Sequence, residues 1–195
     1  MKKWCKGSEK GFTLIEILVA IPIIGLLGLA MGGVLIQLLR SDRITQGMTA
    51  VRQVQAAGDR VSQDGVQAQY VTFGSAITSD NWSLNLRWTG EWMDDSDDLV
   101  VRSANVTYTL VPFNGQYNLQ RHEISQIKVG TAAPTNTDLT SIVGRYLDRS
   151  QMSCQWEDIN GDGVLEEITF AFKVVSVVGT KTQERTYNIT PRPQH

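Results

Sequence analysis

Hydrophobic and polar positions are segregated along this chain rather than mixed. Between Glu16 and Gln37 lie 20 consecutive residues, Ile17 to Ile36, with no charged or amide side chain. As a helix rising about 1.5 Å per residue, such a run covers roughly 30 Å, one hydrocarbon thickness. From Arg40 to about Phe73 the sequence turns polar but stays helix-compatible. Ile44, Met48, Val51, Val54 and Val61 recur there near one helical face. The spacing predicts a continuation of the same helix over 40–73, its apolar stripe packed on a globular domain, with Gly58 and Gly65 weakening the far end. Pro22 removes a donor and crowds the carbonyl of Leu18, so a kink or local opening is expected there. Gly25, Gly28, Gly32 and Gly33 loosen the same segment.

Beyond Phe73 the period changes to two. Trp82, Leu84, Leu86 and Trp88 alternate with Ser83, Asn85 and Arg87, as a half-buried strand requires. Val106 to Val111 leads through Asn114-Gly115 into Tyr117 to Arg121, a turn signal between strands, with Pro112 and Phe113 lengthening the connection. Ile124 to Val129 adds a further strand, whereas Thr131 to Thr140, with Pro134 and small polar residues, reads as a loop. Ile142 to Met152 fits helix or strand. Ile168 to Val178 and Arg185 to Ile189 form a closing pair, ended by Pro191-Arg192-Pro193. The sum is α+β: one long N-terminal helix, membrane-spanning in its first half, against an antiparallel sheet.

Charge orients the span and exposes a problem in it. Lys2, Lys3, Lys6 and Lys10 precede the apolar run against a single Glu9, which keeps the N-terminus cytoplasmic and sends the rest outward. Arg40 and Arg43 on the far side oppose this but are outnumbered. A secretory signal has a shorter apolar core followed by a small-residue cleavage site, and this segment is too long and continues into helix. A plain signal anchor explains length and orientation but not Glu16, a carboxylate at the edge of an apolar span. Such a group is costly without a cationic partner.

The residues Gly11-Phe12-Thr13-Leu14-Ile15-Glu16, behind a short Lys-rich leader, resemble the processing motif of type IV pilins and pseudopilins. The resemblance covers about the first 30 residues. It implies cleavage by prepilin peptidase on the cytoplasmic side between Gly11 and Phe12, and methylation of the new α-amine. It also supplies the missing cation. The Phe12 amine of a neighbouring subunit would pair with Glu16 in a filament core, where a buried carboxylate gains most from a close opposite charge. On this reading residues 1–11 are the leader, 12–39 the membrane and filament-core helix, 40–73 its polar continuation and 74–195 a β-rich domain. The stretches Val106–Leu110, Asn118–Arg121 and Arg185–Ile189 resemble W-type minor pilins and J-type minor pseudopilins. The implied protein is a minor structural subunit of a type IV pilus or a type II secretion-like pseudopilus. It would be a single-pass inner-membrane protein with its C-terminal domain extracytoplasmic, later drawn by an assembly platform into a filament with other pilin or pseudopilin subunits.

The remaining chemistry is sparse. Asp158, Asn160, Asp162, the Val164 carbonyl and Glu166 follow the first nine positions of a calcium loop, with Gly163 at the sharp turn. The twelfth position is Thr169, so the bidentate glutamate is missing, and a polar turn before a strand explains the same residues. Calcium is the only cofactor this pattern raises. Glu91 with Asp94, Asp95, Asp97 and Asp98 reads as a solvated acidic run. Trp82, Trp88 and Trp92 offer either core packing or a sugar- or partner-binding face. Catalysis lacks a constellation: the histidines are His122 and the terminal His195, and Cys154 has no nucleophile signature. The expectation is not an enzyme. The alternative to a filament subunit is a membrane-anchored binding module using the calcium loop.

Balanced charge, 18 basic against 20 acidic side chains, gives no reason to expect nucleic acid as a direct partner. Cleavage after Gly11 would remove four lysines and one glutamate, leaving 14 basic and 19 acidic, a formal charge of −5 in place of −2. Cys5 would leave too, so Cys154 would have no internal disulfide partner.

Overall fold

The apolar run and the polar stretch after it form one helix. In the computed structural model, which describes residues 13–93, 95, 97–156 and 169–192, helix α1 runs from Leu14 to Gln67. The chain divides into two units, Met1–Ile44 and Thr45–His195, and α1 contributes to both. In the first unit every described residue is exposed except the half-buried Gly32. α1 continues through Pro22, where the sequence predicts a kink or opening; the only donor a proline removes is its own.

In the second unit the helix buries a narrow seam: Ala50, Val54, Ala57, Gly58, Val61, Asp64 and Gly65. Val54 and Val61 lie in it as the spacing predicts, but Ile44, Met48 and Val51 are exposed. The reason is close approach. A Cβ on Gly58 would lie 1.9 Å from Tyr187 Cε2, and one on Gly65 would lie 2.6 Å from Ile189 Cγ2. On the sheet side, a Cβ on Gly144 would lie 2.7 Å from the Ala57 Cβ. Small residues, not the larger aliphatic ones, therefore set where helix and sheet meet. The helix also stops short of the expected 73, and Tyr70–Phe73 forms strand β1.

The other strands are β2 Ser83–Met93, β3 Leu99–Phe113, β4 Gln116–Val129, β5 Thr135–Leu147, β6 Ser153–Trp156, β7 Phe170–Val178 and β8 Lys181–Ile189. All pairings are antiparallel, in the order β1-β2-β3-β4-β5-β7-β6, with β8 paired to β7. The architecture is the expected α+β, a long N-terminal helix packed on an antiparallel sheet. Leu84, Leu86, Val106, Tyr108, Leu119, Phe170, Phe172 and Val174 form the core with Val61 of α1 and Ile189.

Local expectations fail where a ladder overrides composition. Asn114 and Gly115, with φ of 48° and 78°, make a two-residue hairpin, and Pro112 sits inside β3 opposite Tyr117. The connection is therefore minimal and not lengthened. Two positive φ angles match the twist of the flanking strands, which is why Asn-Gly wins over the proline before it. The segment read as a loop, Thr131 to Thr140, enters β5 at Thr135, because threonine fits a pleated surface once β4 is beside it. The stretch left open from Ile142 is strand to Leu147, then a 3-10 turn at Arg149–Gln151. β5 carries a register shift between its pairings with Tyr117 and Gln120, and Tyr146 lies at φ 57°. This bulge brings both Gly144 and Leu147 to the buried side.

Two glycines of the same helix separate packing from propensity. Gly58→Ala drives a methyl into the Tyr187 ring and should destabilise the fold by about 1–3 kcal/mol. Gly47→Ala meets open space and should stabilise it by roughly 0.5–1 kcal/mol. Denaturant midpoints of both full-length variants measure the difference in sign.

Candidate functional site

Thr13 stands directly before α1, and Glu16 is three residues on. The Thr13 N–H donates to Glu16 Oε2 at 2.8 Å and its hydroxyl donates to the same oxygen at 2.9 Å. In return the Glu16 N–H donates to Thr13 Oγ1 at 3.4 Å. This reciprocal pattern is a capping box: the Thr13 N–H gains an acceptor, the Glu16 N–H is shared between the Thr13 hydroxyl and, at 3.1 Å, the Thr13 carbonyl, and the carboxylate is held at the positive end of the helix. A carboxylate has about four acceptor positions, so Glu16 retains capacity toward a further donor. Thr-x-x-Glu is legible in the sequence as a helix start, a role additional to the charge pairing expected of Glu16.

Behind this cap the helix is apolar on every side. Leu14, Ile24, Leu29 and Leu39 are 82%, 67%, 76% and 66% exposed, and other large aliphatic residues along Leu14–Leu39 are likewise open. Gly25, Gly28, Gly32 and Gly33 face open space, since a Cβ on any of them would meet nothing within 4 Å. Within its own unit, nothing requires them to be glycine. Gly28 and Gly32 stand four apart on one helix face, the small-xxx-small spacing that lets a second helix approach closely in an apolar medium. Reading them only as helix-loosening residues misses this.

A second constellation lies in the Thr45–His195 unit, beneath the end of α1. Asp64 of the helix, Tyr108 of β3 and Arg121 and Glu123 of β4 are all buried. Arg121 Nε donates to Asp64 Oδ2 at 2.6 Å, Nη2 to Asp64 Oδ1 at 3.3 Å and Nη1 to Glu123 Oε2 at 2.7 Å. The Tyr108 hydroxyl donates to Asp64 Oδ2 at 2.5 Å, and Arg102 Nη2 donates to Glu123 Oε1 at 3.1 Å. Burial alone would raise the Glu123 carboxyl, but the Arg121 hydrogen bond and charge, with Arg102 behind them, hold it below the ordinary carboxylate value. For Arg121 burial opposes the charge, yet the bonds to Asp64 and Glu123 raise its pKa. Burial, then Asp64, pushes the Tyr108 phenol up, so it stays a donor. The network ties helix to sheet. Sequence reading splits β4 between Arg121 and Ile124 because charges sit at its centre. The usable signal is that Leu119, Arg121, Glu123 and Ser125 share one face of an alternating strand.

The other expected site residues distribute as follows. Gly11, Phe12, Asp158, Asn160, Asp162, Val164 and Glu166 lie outside the described residues. Of the acidic run, Asp94 also does, and Asp97 takes φ 61°. Among the described residues no three His, Cys, Asp or Glu side chains gather as metal ligands. Trp82 is core, Trp88 half-buried and Trp92 exposed. His122 Nε2 lies 2.8 Å from Asp138 Oδ1 on an exposed sheet face. Cys154 is half-buried on β6, and burial pushes its thiol up, away from a reactive thiolate.

A sequence profile of the prokaryotic N-terminal methylation motif matches residues 6–32, a stretch that contains Gly11, Phe12 and Glu16. No curated protein and no solved structure matches the chain.

Removing one charge from the buried network leaves its partner uncompensated. Asp64→Asn should cost about 3–5 kcal/mol, measured by chemical denaturation. The folded-state pKa of Glu123 is depressed, so its stabilisation is complete at neutral pH and is lost as pH falls through the ordinary carboxylate range toward the folded value. Glu123→Gln should therefore be less stable than wild type at pH 7 and show a flatter loss of stability on acidification, seen in denaturation midpoints against pH.

Proposed function

We propose that this chain, a type IV pilin-like protein by its methylation motif and its helix-on-sheet fold, serves as a minor subunit of a type IV pilus or a type II secretion-like pseudopilus. The observation that carries the proposal is the uncovered apolar helix. Leu14 to Leu39 exposes aliphatic side chains all round, which is stable only in lipid or against other helices. A filament core supplies the second environment and a bilayer the first, so one segment serves storage and assembly. The motif implies processing by prepilin peptidase; on this proposal the bond cut is Gly11–Phe12.

Glu16 is the link between the two states. An unpaired carboxylate costs on the order of 2.5–3.5 kcal/mol at the centre of an apolar span and less at its edge. The capping box meets part of that demand within the chain, through Thr13. The methylated amine of a neighbour's Phe12 supplies a full charge as well, and the pairing sets the axial position of one helix against the next. The minor-subunit role is supported by the resemblance to W-type and J-type members, carried by stretches that lie on β3, β4 and β8. Domain and helix divide the work: the sheet presents a surface, and the helix holds it in the polymer.

Two substitutions separate processing from assembly. Glu16→Ala should be cleaved like wild type but fall at least tenfold in the sheared filament fraction; undiminished incorporation would remove the pairing. Gly11→Val should leave an uncleaved, unmethylated precursor in the membrane, read by immunoblot mobility and mass spectrometry. Normal maturation of that variant would overturn the assigned cleavage position.

A further inference from the structure

Strand β2 continues past the packed core with Trp88, Gly90 and Trp92 on one face, the face that carries Leu84 and Leu86 further back. The two indoles stand four residues apart, roughly 13 Å along the strand at about 3.3 Å per residue. Gly90 leaves the position between them empty, since a Cβ there would meet nothing within 4 Å. Arg102 is the cross-strand partner of Gly90. With Thr89, Gln67 and Arg192 these residues line a cleft of about 250 Å³. The Arg192 N–H donates to the Ala68 carbonyl at 3.0 Å, which fixes that arginine at the end of the helix.

We propose that this cleft binds an acidic saccharide, a chain of pyranose rings bearing carboxylates. The indoles are too far apart to sandwich one planar ring, because stacked partners lie within about 4.5–7 Å. They suit alternate rings of an oligosaccharide, each resting its C–H face on one indole, with the glycine position admitting the ring between. Two arginines line the cleft, and no Asp or Glu does among the described residues. Arg102 spends one nitrogen on Glu123, which Arg121 already neutralises, and keeps other donors of its fork for a ligand carboxylate. The Gln67 amide can serve hydroxyls as donor and acceptor. An acidic peptide is the competing occupant, and it would gain most by adding a strand to the edge of β2. That edge is blocked beside the cleft: Gln69 Nε2 donates to the Thr89 carbonyl at 2.9 Å, and the Thr89 N–H donates to Gln69 Oε1 at 3.1 Å. The site needs no filament, so it stands or falls independently of the assembly role.

The test uses the full-length protein in detergent micelles, with tetragalacturonate, the neutral cellotetraose and tetraglutamate as probes. Tryptophan fluorescence and calorimetry should show saturable binding of tetragalacturonate, at least tenfold tighter than the other two and weakened by salt. Gly90→Val puts a branched side chain into the cleft at a position where its Cβ meets nothing within 4 Å, and Arg192→Gln removes a charge. Each should weaken binding at least tenfold with an unchanged melting temperature. If Gly90→Val fails to fold, Trp92→Ala, at a side chain already 47% exposed, decides in its place. Absence of saturable tetragalacturonate binding, equal binding of cellotetraose, equal or tighter binding of tetraglutamate, or variants that bind like wild type would each overturn the proposal.

Discussion

An α-helix that is apolar on every side has no stable place in water, and that constraint organises this protein. The segment from Leu14 to Leu39 carries aliphatic side chains that are exposed throughout. The capping box lets the helix begin cleanly, with the Thr13 and Glu16 N–H groups satisfied. The Glu16 carboxylate lies inside the segment, where a charged group needs a partner. On the proposed function, environment, cap and charge together define a segment that exchanges lipid for other helices without refolding.

The second half of α1 solves a different problem with different residues. It joins a sheet by close contact at Gly58, Gly65 and Gly144 and by the Asp64–Arg121–Glu123 network. Glycine and alanine bring the backbones together, which leaves little room for large aliphatic side chains at the seam. The ionic network adds direction, because Asp64 can satisfy Arg121 and Tyr108 together only in one register of helix on sheet. Buried pairs of this kind contribute little net stability but make a misplaced register expensive. The same network reaches Arg102 at the margin of the tryptophan cleft, so the residues that dock the helix also hold one wall of that cleft.

Local features of this fold are legible in the sequence, and pairwise ones are not. A charge-free run, a Thr-x-x-Glu start and an alternation such as Trp82 to Trp88 are complete within a short window. β4 is different. Its centre carries Arg121, His122 and Glu123, which read as a break until Asp64 and Arg102 are known to face two of them. β5 reads as a loop because Thr, Asn and Asp serve turns and strands alike, and only β4 alongside decides. The buried seam of α1 escapes a reading by hydrophobic size because its contacts are made by Ala57, Gly58 and Gly65. At the candidate site, Glu16 and the span are visible from composition, whereas the opening at Gly90 appears only once β2 and β3 are in register.

The central claim is that the apolar helix leaves the membrane in processed form and enters a polymer. Intact-mass spectrometry of the wild-type protein, recovered separately from sheared filaments and from membranes, tests it most directly. The account predicts a filament-borne chain that begins at Phe12 and carries one added methyl group. A protein found only in membranes, with residues 1–11 still attached, would contradict it.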